Sequence, residues 1–268
     1  MKLAFCFTGM CKNYDMLYEN NKEKLFEPLS KVYDIDFYLS SSKSNVFINP
    51  RINENCEIKW DSILKYFDFK NTIILEEKDE ELIKIHDFVD LLASQFELQM
   101  CPPDADDFTK KNCTYGAIKY LYHLYLLKTI VEPSDKYIIA RQDIYYRDKI
   151  NVDLVLNSKE DALIPLCHEA GSNSKTIMAG NMWTTDRFAI LNKKSFDVYI
   201  NRYKTITEKP ERYLAEIYLT KHLNSHNISV DVFDEFDYFP VRSYTNIKDE
   251  MIVDKNRSIW DADKNKYI

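Results

Sequence analysis

The run LAFCFT, residues 3–8, carries no charge and ends at Gly9. A strand with apolar side chains on both faces needs cover on both, which suits a central, parallel-type strand with helices above and below it. The pattern then repeats. MLYENNKEKLFEPLSKV, residues 16–32, sets Met16, Leu17, Leu25, Phe26 and Leu29 among charges and reads as a helix interrupted near Pro28. IDFYLSSS (35–42) and NTIILEE (71–77) read as the second and third strands. Strand alternating with helix argues for an α/β chain with a doubly wound, mostly parallel sheet.

From Glu80 to Met100, Leu82, Ile85, Val89, Leu92 and Phe96 fall on one stripe at helical steps. CPPDADDFTKKN (101–112) reads as a loop. Its Asp104, Asp106 and Asp107 lack regular cation-ligand spacing and suit a solvated turn better. A second helix is expected from about Tyr115 to Val131, with Ile118, Leu121, Tyr122, Tyr125 and Leu126 on its apolar face and Lys119, His123 and Lys128 elsewhere. ALIPLC (162–167) and RFAIL (187–191) read as strands on either side of a long polar loop, residues 168–186. Loops of that length inside a compact domain are often functional. Two helices are expected at about 193–203 and 211–224, then a late strand within 229–244. No repeat, low-complexity tract or linker divides the chain, so one domain over 1–268 is expected.

Composition removes several functions. The net charge of -7 argues against a basic nucleic-acid surface. With 4 Gly in all, neither G-x-G-x-x-G nor a Walker A sequence occurs. The 6 Cys form no C-x-x-C, which fits reduced cytoplasmic thiols and not a disulfide framework or a zinc site. His222 and His226 stand four apart without an acidic partner, and no G-x-S-x-G is present. The apolar start of MKLAFCFTGM is too short for a signal peptide, and no apolar run approaches the ~20 residues of a membrane span. A cytoplasmic protein is expected, meeting any membrane-linked substrate from the soluble side.

The strongest chemical signal is YIIARQDIYYRDKI, residues 137–150, a buried-strand pattern that turns charged at Arg141 and Asp143. Alternation sends these two to the same side of an extended strand end. Ligands of open α/β sheets sit beyond the carboxyl ends of the strands. There a carboxylate suits a divalent cation and an arginine suits a phosphate, although a plain salt bridge fits the same spacing. Asp186, in TTDRFAIL, is placed to act as a base on a hydroxyl or to cap a turn. Glu216, in AEIYLTKHL, is placed to face the sheet edge or to pair with a lysine on the helix surface. Thr8 and Gly9 end the first strand where a nucleotide often lies, and the serine run that includes Ser41 is placed to meet a ribose or base, or to make a turn.

These segments, taken in order over roughly residues 3–228, resemble viral and bacterial glycosyltransferase-like proteins of polysaccharide and lipopolysaccharide synthesis. The opening residues 3–42, YGAIKYLYHLYLLKTIVEPSDKYIIARQDIYY, TTDRFAILNKKSFDVYINRY and AEIYLTKHLNSHNI each resemble that group's successive motifs. The resemblance implies a GT-A-like fold with a nucleotide-sugar-binding half (about 1–150) and an acceptor-binding half (about 151–268). It implies a nucleotide-diphosphate sugar as donor, a glycan or glycoconjugate hydroxyl as acceptor, and Mn²⁺ or Mg²⁺ on a D-x-D. Here Arg141-Gln142-Asp143 stands in place of D-x-D, leaving Asp143 as the expected metal ligand and Arg141 to offset phosphate charge. Where that group often has Arg after the first-strand Gly, Lys12 is the nearest cation. Asp186, with Glu216 behind it, is the expected catalytic base. A nucleotidyl- or phosphotransferase on a related sheet and an inactive sugar-binding domain are the alternatives. The Lys, Asn and Ile usage suggests an AT-rich genome, of a large virus or a bacterium.

Overall fold

A computed structural model of the chain describes residues 1–10, 14–49, 54–76, 78–98, 105–165, 186–211, 213, 215–233, 238–240, 260–261 and 266–267. In chain order the strands are β1 (Lys2–Thr8), β2 (Asp34–Lys43), β3 (Val46–Asn49), β4 (Glu54–Glu57), β5 (Phe69–Glu76) and β6 (Lys136–Arg141). β7 (Ile144–Tyr146), β8 (Ala162–Pro165), β9 (Phe188–Leu191), β10 (Val230–Phe233) and β11 (Tyr238–Pro240) follow. Seven of them form one mixed sheet in the order β10-β8-β9-β6-β1-β2-β5. β5, β2, β1 and β6 are mutually parallel, β9 runs antiparallel between β6 and β8, and β10 pairs parallel with β8.

The chain builds outward from β1 through β2 to β5, then returns to lay β6 on the other side of β1. The direction of winding therefore reverses between β1 and β6, and the crevice at the carboxyl ends of such a strand pair is the usual ligand position in open α/β sheets.

Helices cover both faces, as the uncharged β1 requires. Ala4 and Cys6 look toward α3 (Glu80–Gln95) and α4 (Asp107–Leu126), where Leu82, Ile85, Leu92, Ile118 and Leu121 are buried. Further along that face lie α6 (Lys193–Ile200), α7 (Arg202–Glu208) and α8 (Ala215–Ser225), after the short α5 (Val152–Asn157). Leu3, Phe5 and Phe7 face an aromatic core instead, with Phe7 and Phe67 at 5.1 Å and Phe26 and Phe37 edge-on at 5.4 Å between ring centres.

Two local differences from the sequence reading have clear causes. The segment around Pro28 is not interrupted. It runs as α1 (Tyr18–Asn21), a π-helical turn (Lys22–Phe26) and α2 (Glu27–Ser30). Pro28 has no N–H for the carbonyl of Lys24, and the backbone N–H of Ile150 donates to it at 2.9 Å. α4 starts eight residues before the expected Tyr115, because the Asp106 carboxylate accepts from the Thr109 N–H at 2.7 Å and caps the helix. One member of the acidic cluster is thus a helix cap.

Lys119 and His123, placed off the apolar face of α4 by periodicity, are buried. The His123 ring lies between two β2 hydroxyls, Nδ1 to Ser40 Oγ at 3.0 Å and Nε2 to Ser42 Oγ at 2.7 Å. Burial, aided by the charge of Lys119, pushes its pKa down to about 3, so the ring is neutral.

Candidate functional site

The reversal between β1 and β6 brings together most of the residues singled out in the sequence. Thr8 pairs in register with Ser40 on one side and Arg141 on the other. The next residue, Gly9, has φ +89°, a conformation that side chains other than glycine's rarely adopt. This turn points the Gly9 carbonyl at two donors, Ser41 Oγ and Gln142 Nε2, each at 2.7 Å. Ser41 therefore braces the turn. With its Nε2 committed to Gly9, the Gln142 amide has Oε1 left over. That atom and the hydroxyl of Thr8 are buried without a hydrogen-bond partner among the described residues. Orphaned polar atoms of this kind are costly and need an explanation.

Arg141 and Asp143 form a forked pair. Nε donates to Oδ1 at 3.0 Å and Nη2 to Oδ2 at 2.6 Å. The fork needs both residues: β6 ends at Arg141, and the turn at Gln142–Asp143 folds the carboxylate back onto it. The Asp143 side chain is 5% exposed and the Arg141 side chain 30%, so the carboxylate is the more enclosed partner. Burial and the charge of Arg187 work against the Arg141 charge, and Asp143 with Asp186 more than offsets them, leaving the pKa raised.

β9 adds its own residues to this rim because it runs antiparallel. Its amino end lies beside the carboxyl end of β6, and the Arg141 N–H donates to the Arg187 carbonyl at 3.0 Å. The neighbouring Asp186 carbonyl accepts from Tyr120 Oη of α4 at 2.6 Å and from Tyr199 Oη of α6 at 3.2 Å. Tyr120 also lies over Gly9, 3.6 Å from where a Cβ would stand. One tyrosine thus ties the β1 turn to the Asp186 segment.

Beneath this segment lies Arg202, fully buried. Its guanidinium carbon stacks 4.0 Å from the Tyr199 ring and its Nε donates to the Tyr199 carbonyl at 2.9 Å. Both Nη atoms lack a hydrogen-bond partner among the described residues. Burial works against this charge too, while Tyr199, Tyr120, Tyr213 and Asp186 favour it.

Thr8, Gly9, Ser41, Arg141, Asp143 and Asp186 are therefore one neighbourhood. Lys12 lies outside the described residues, as do His168 and Glu169 with the rest of 166–185. Glu216 falls in the first turn of α8, and its side chain is likewise outside them. Sequence reading missed Gln142, Tyr120, Tyr199 and Arg202. Gln142 stands between the two residues it favoured, but only the fold shows its amide bracing Gly9. The other three come from separate helices and share no motif.

The donor set fits a divalent cation poorly. Such ions want several oxygen ligands with net negative charge. Here both oxygens of the one carboxylate in Arg141-Gln142-Asp143 take hydrogen bonds from a guanidinium. Among the described residues no group of three or more His, Cys, Asp or Glu is arranged to hold a metal.

No protein-family model and no curated protein matches the chain. Among solved structures, it is similar to the inositol-1-phosphate CTP transferase from T. maritima, at 10% identity over 97% of this chain and 98% of that one, with a TM-score of 0.44. It is also similar to the galactosyltransferase LgtC in complex with donor and acceptor sugar analogs, at 12% identity over 87% of this chain and 73% of that one, with a TM-score of 0.42. An active-site mutant of LgtC matches at 10% identity over 87% and 72%, also with a TM-score of 0.42. Likeness of this degree does not say what the chain itself binds.

Proposed function

We propose that this protein is a glycosyltransferase with a single GT-A-like domain, moving a sugar from a nucleotide-diphosphate donor to a hydroxyl of a glycan or glycoconjugate. One observation carries the reading. The guanidinium of Arg141, a side chain only partly buried, is held by a forked carboxylate at the point where the strand order reverses. A diphosphate in that crevice meets fixed positive charge where negative charge grows as the sugar leaves.

In the inverting form of the reaction, the bond from the anomeric carbon to the diphosphate oxygen breaks and its electron pair leaves with that oxygen, opposite Arg141. The acceptor hydroxyl oxygen bonds to the same carbon and gives its proton to the carboxylate of Asp186, with Glu216 the second candidate. Asp186 suits the role because Tyr120 and Tyr199 fix its backbone beside Arg141. The segment 1–150 would hold the donor and 151–268 the acceptor, in the cytoplasm or at a membrane surface.

The test is a thermal-shift panel with UDP, GDP, CDP and dTDP, followed by mass analysis of products from the matching sugar nucleotides and a set of glycan acceptors. One nucleotide should stand out, and the product should gain a glycosyl mass. A product gaining phosphorus assigns a nucleotidyl- or phosphotransferase. Binding without turnover assigns a sugar-nucleotide-binding domain, and no shift with any nucleotide removes the reading.

A further inference from the structure

We infer that the Arg141 guanidinium holds the donor diphosphate directly, in place of a divalent cation; the inference rests on the nucleotide-sugar reading above. It starts from the forked pair. A cation on Asp143 would have to use the lone pairs that the fork leaves on a carboxylate only 5% exposed. The ion would then sit against a guanidinium that cannot lose its charge, and like charges at that distance repel strongly. Arg187 adds to the difficulty. Its carbonyl is joined to the Arg141 N–H, and its positive charge already opposes that of Arg141. A cation at Asp143 would face two guanidinium-bearing residues on this rim, with the carboxylate already paired to one of them.

The same geometry suits an anion. A guanidinium has five N–H donors in one plane, and the fork to Asp143 uses one on Nε and one on Nη2. Arg141 makes no further side-chain hydrogen bond among the described residues, so both Nη1 hydrogens and the second on Nη2 remain. These lie on the edge of the guanidinium away from Asp143, and the side chain as a whole is 30% exposed. Two of them match the spacing of two phosphate oxygens. Asp143 then acts as a positioning residue that fixes the plane of the guanidinium. In this role it needs no metal, and the arginine at the first position of Arg141-Gln142-Asp143 is the working group.

The experiment uses the full chain and binding as its readout. The dissociation constant of the preferred nucleoside diphosphate is measured in EDTA and in Mn²⁺, and binding of Mn²⁺ alone is followed by electron paramagnetic resonance. The expected result is equal nucleotide affinity in both and no uptake of Mn²⁺. Arg141→Gln should weaken the nucleotide by about 10- to 100-fold with no rescue by Mn²⁺. Arg141→Lys, which keeps the charge but not the fork, should fall between, and it guards against Arg141→Gln failing to fold. Arg141→Asp, placing two carboxylates two residues apart, should bind nucleotide only when Mn²⁺ is present. A wild-type protein that binds nucleotide in Mn²⁺ but not in EDTA overturns the metal-free inference and leaves the glycosyltransferase reading standing. If no nucleotide binds in either buffer, both are overturned.

Discussion

The two ends of the central strands manage charge in opposite ways. At the amino ends, Lys70 bridges Asp36 at 3.1 Å and Glu132 at 2.7 Å, and the Lys2 N–H meets Asp135 at 2.8 Å, all in contact with water. At the carboxyl ends, Asp143, Gln142, Thr8, Ser40, Ser42 and His123 are buried, and Arg141 stands partly in solvent above them. Ion pairs of the first kind are screened and contribute little to stability. Groups of the second kind lose hydration and are tolerated only where hydrogen bonds or a ligand compensate. The carboxyl end thus carries the larger buried polar burden of the two.

Breaking one pair at each end should give the widest contrast. Asp143→Ala removes a buried carboxylate and strands its arginine, and should cost about 2–4 kcal/mol in denaturant titration. It should also weaken nucleotide binding, by no more than Arg141→Gln does. Lys70→Met, at the amino ends, should leave both the unfolding midpoint and nucleotide binding unchanged. Equal losses from the two variants would contradict the distinction between the ends.

A smaller effect sharpens the comparison within the carboxyl end, between His123, hydrogen-bonded to two serines, and Arg141, the proposed ligand contact. The folded His123 pKa of about 3 lies below the ordinary imidazole value, so the unfolded chain takes up a proton that the folded one refuses. Its contribution is complete above about pH 6.5 and is lost as the pH falls toward 3, at no more than about 1.4 kcal/mol per pH unit. His123→Gln, which keeps hydrogen-bonding groups for Ser40 and Ser42, should flatten the acid side of the stability profile. Nucleotide binding at pH 7.5 should be unaffected. An unchanged acid slope would show that the ring is charged in the fold.

The sequence carried the frame of this molecule because burial on both faces leaves a plain mark. LAFCFT and YIIA are uncharged where the sheet is covered by helices, and the strand endings at Thr8 and Arg141 fall where charge and glycine return. The direction of β9 was not legible, since a short apolar run looks the same in either orientation. That direction brings Asp186 to the rim. The burial of His123 was hidden for a different reason. Periodicity scores imidazole as polar, and the two serines that satisfy it lie 83 and 81 residues away. The anchoring of Asp186 by Tyr120 and Tyr199 likewise depends on helices meeting in space, with no spacing to reveal it.

The central claim is one of location: the diphosphate lies at the carboxyl ends of β1 and β6. A crystal structure with the preferred nucleoside diphosphate bound tests it most directly. The account predicts phosphate oxygens within hydrogen-bonding distance of Arg141 Nη1 and Nη2, with the Arg141–Asp143 fork intact. A nucleotide seated elsewhere on the sheet, with Arg141 untouched, would contradict it.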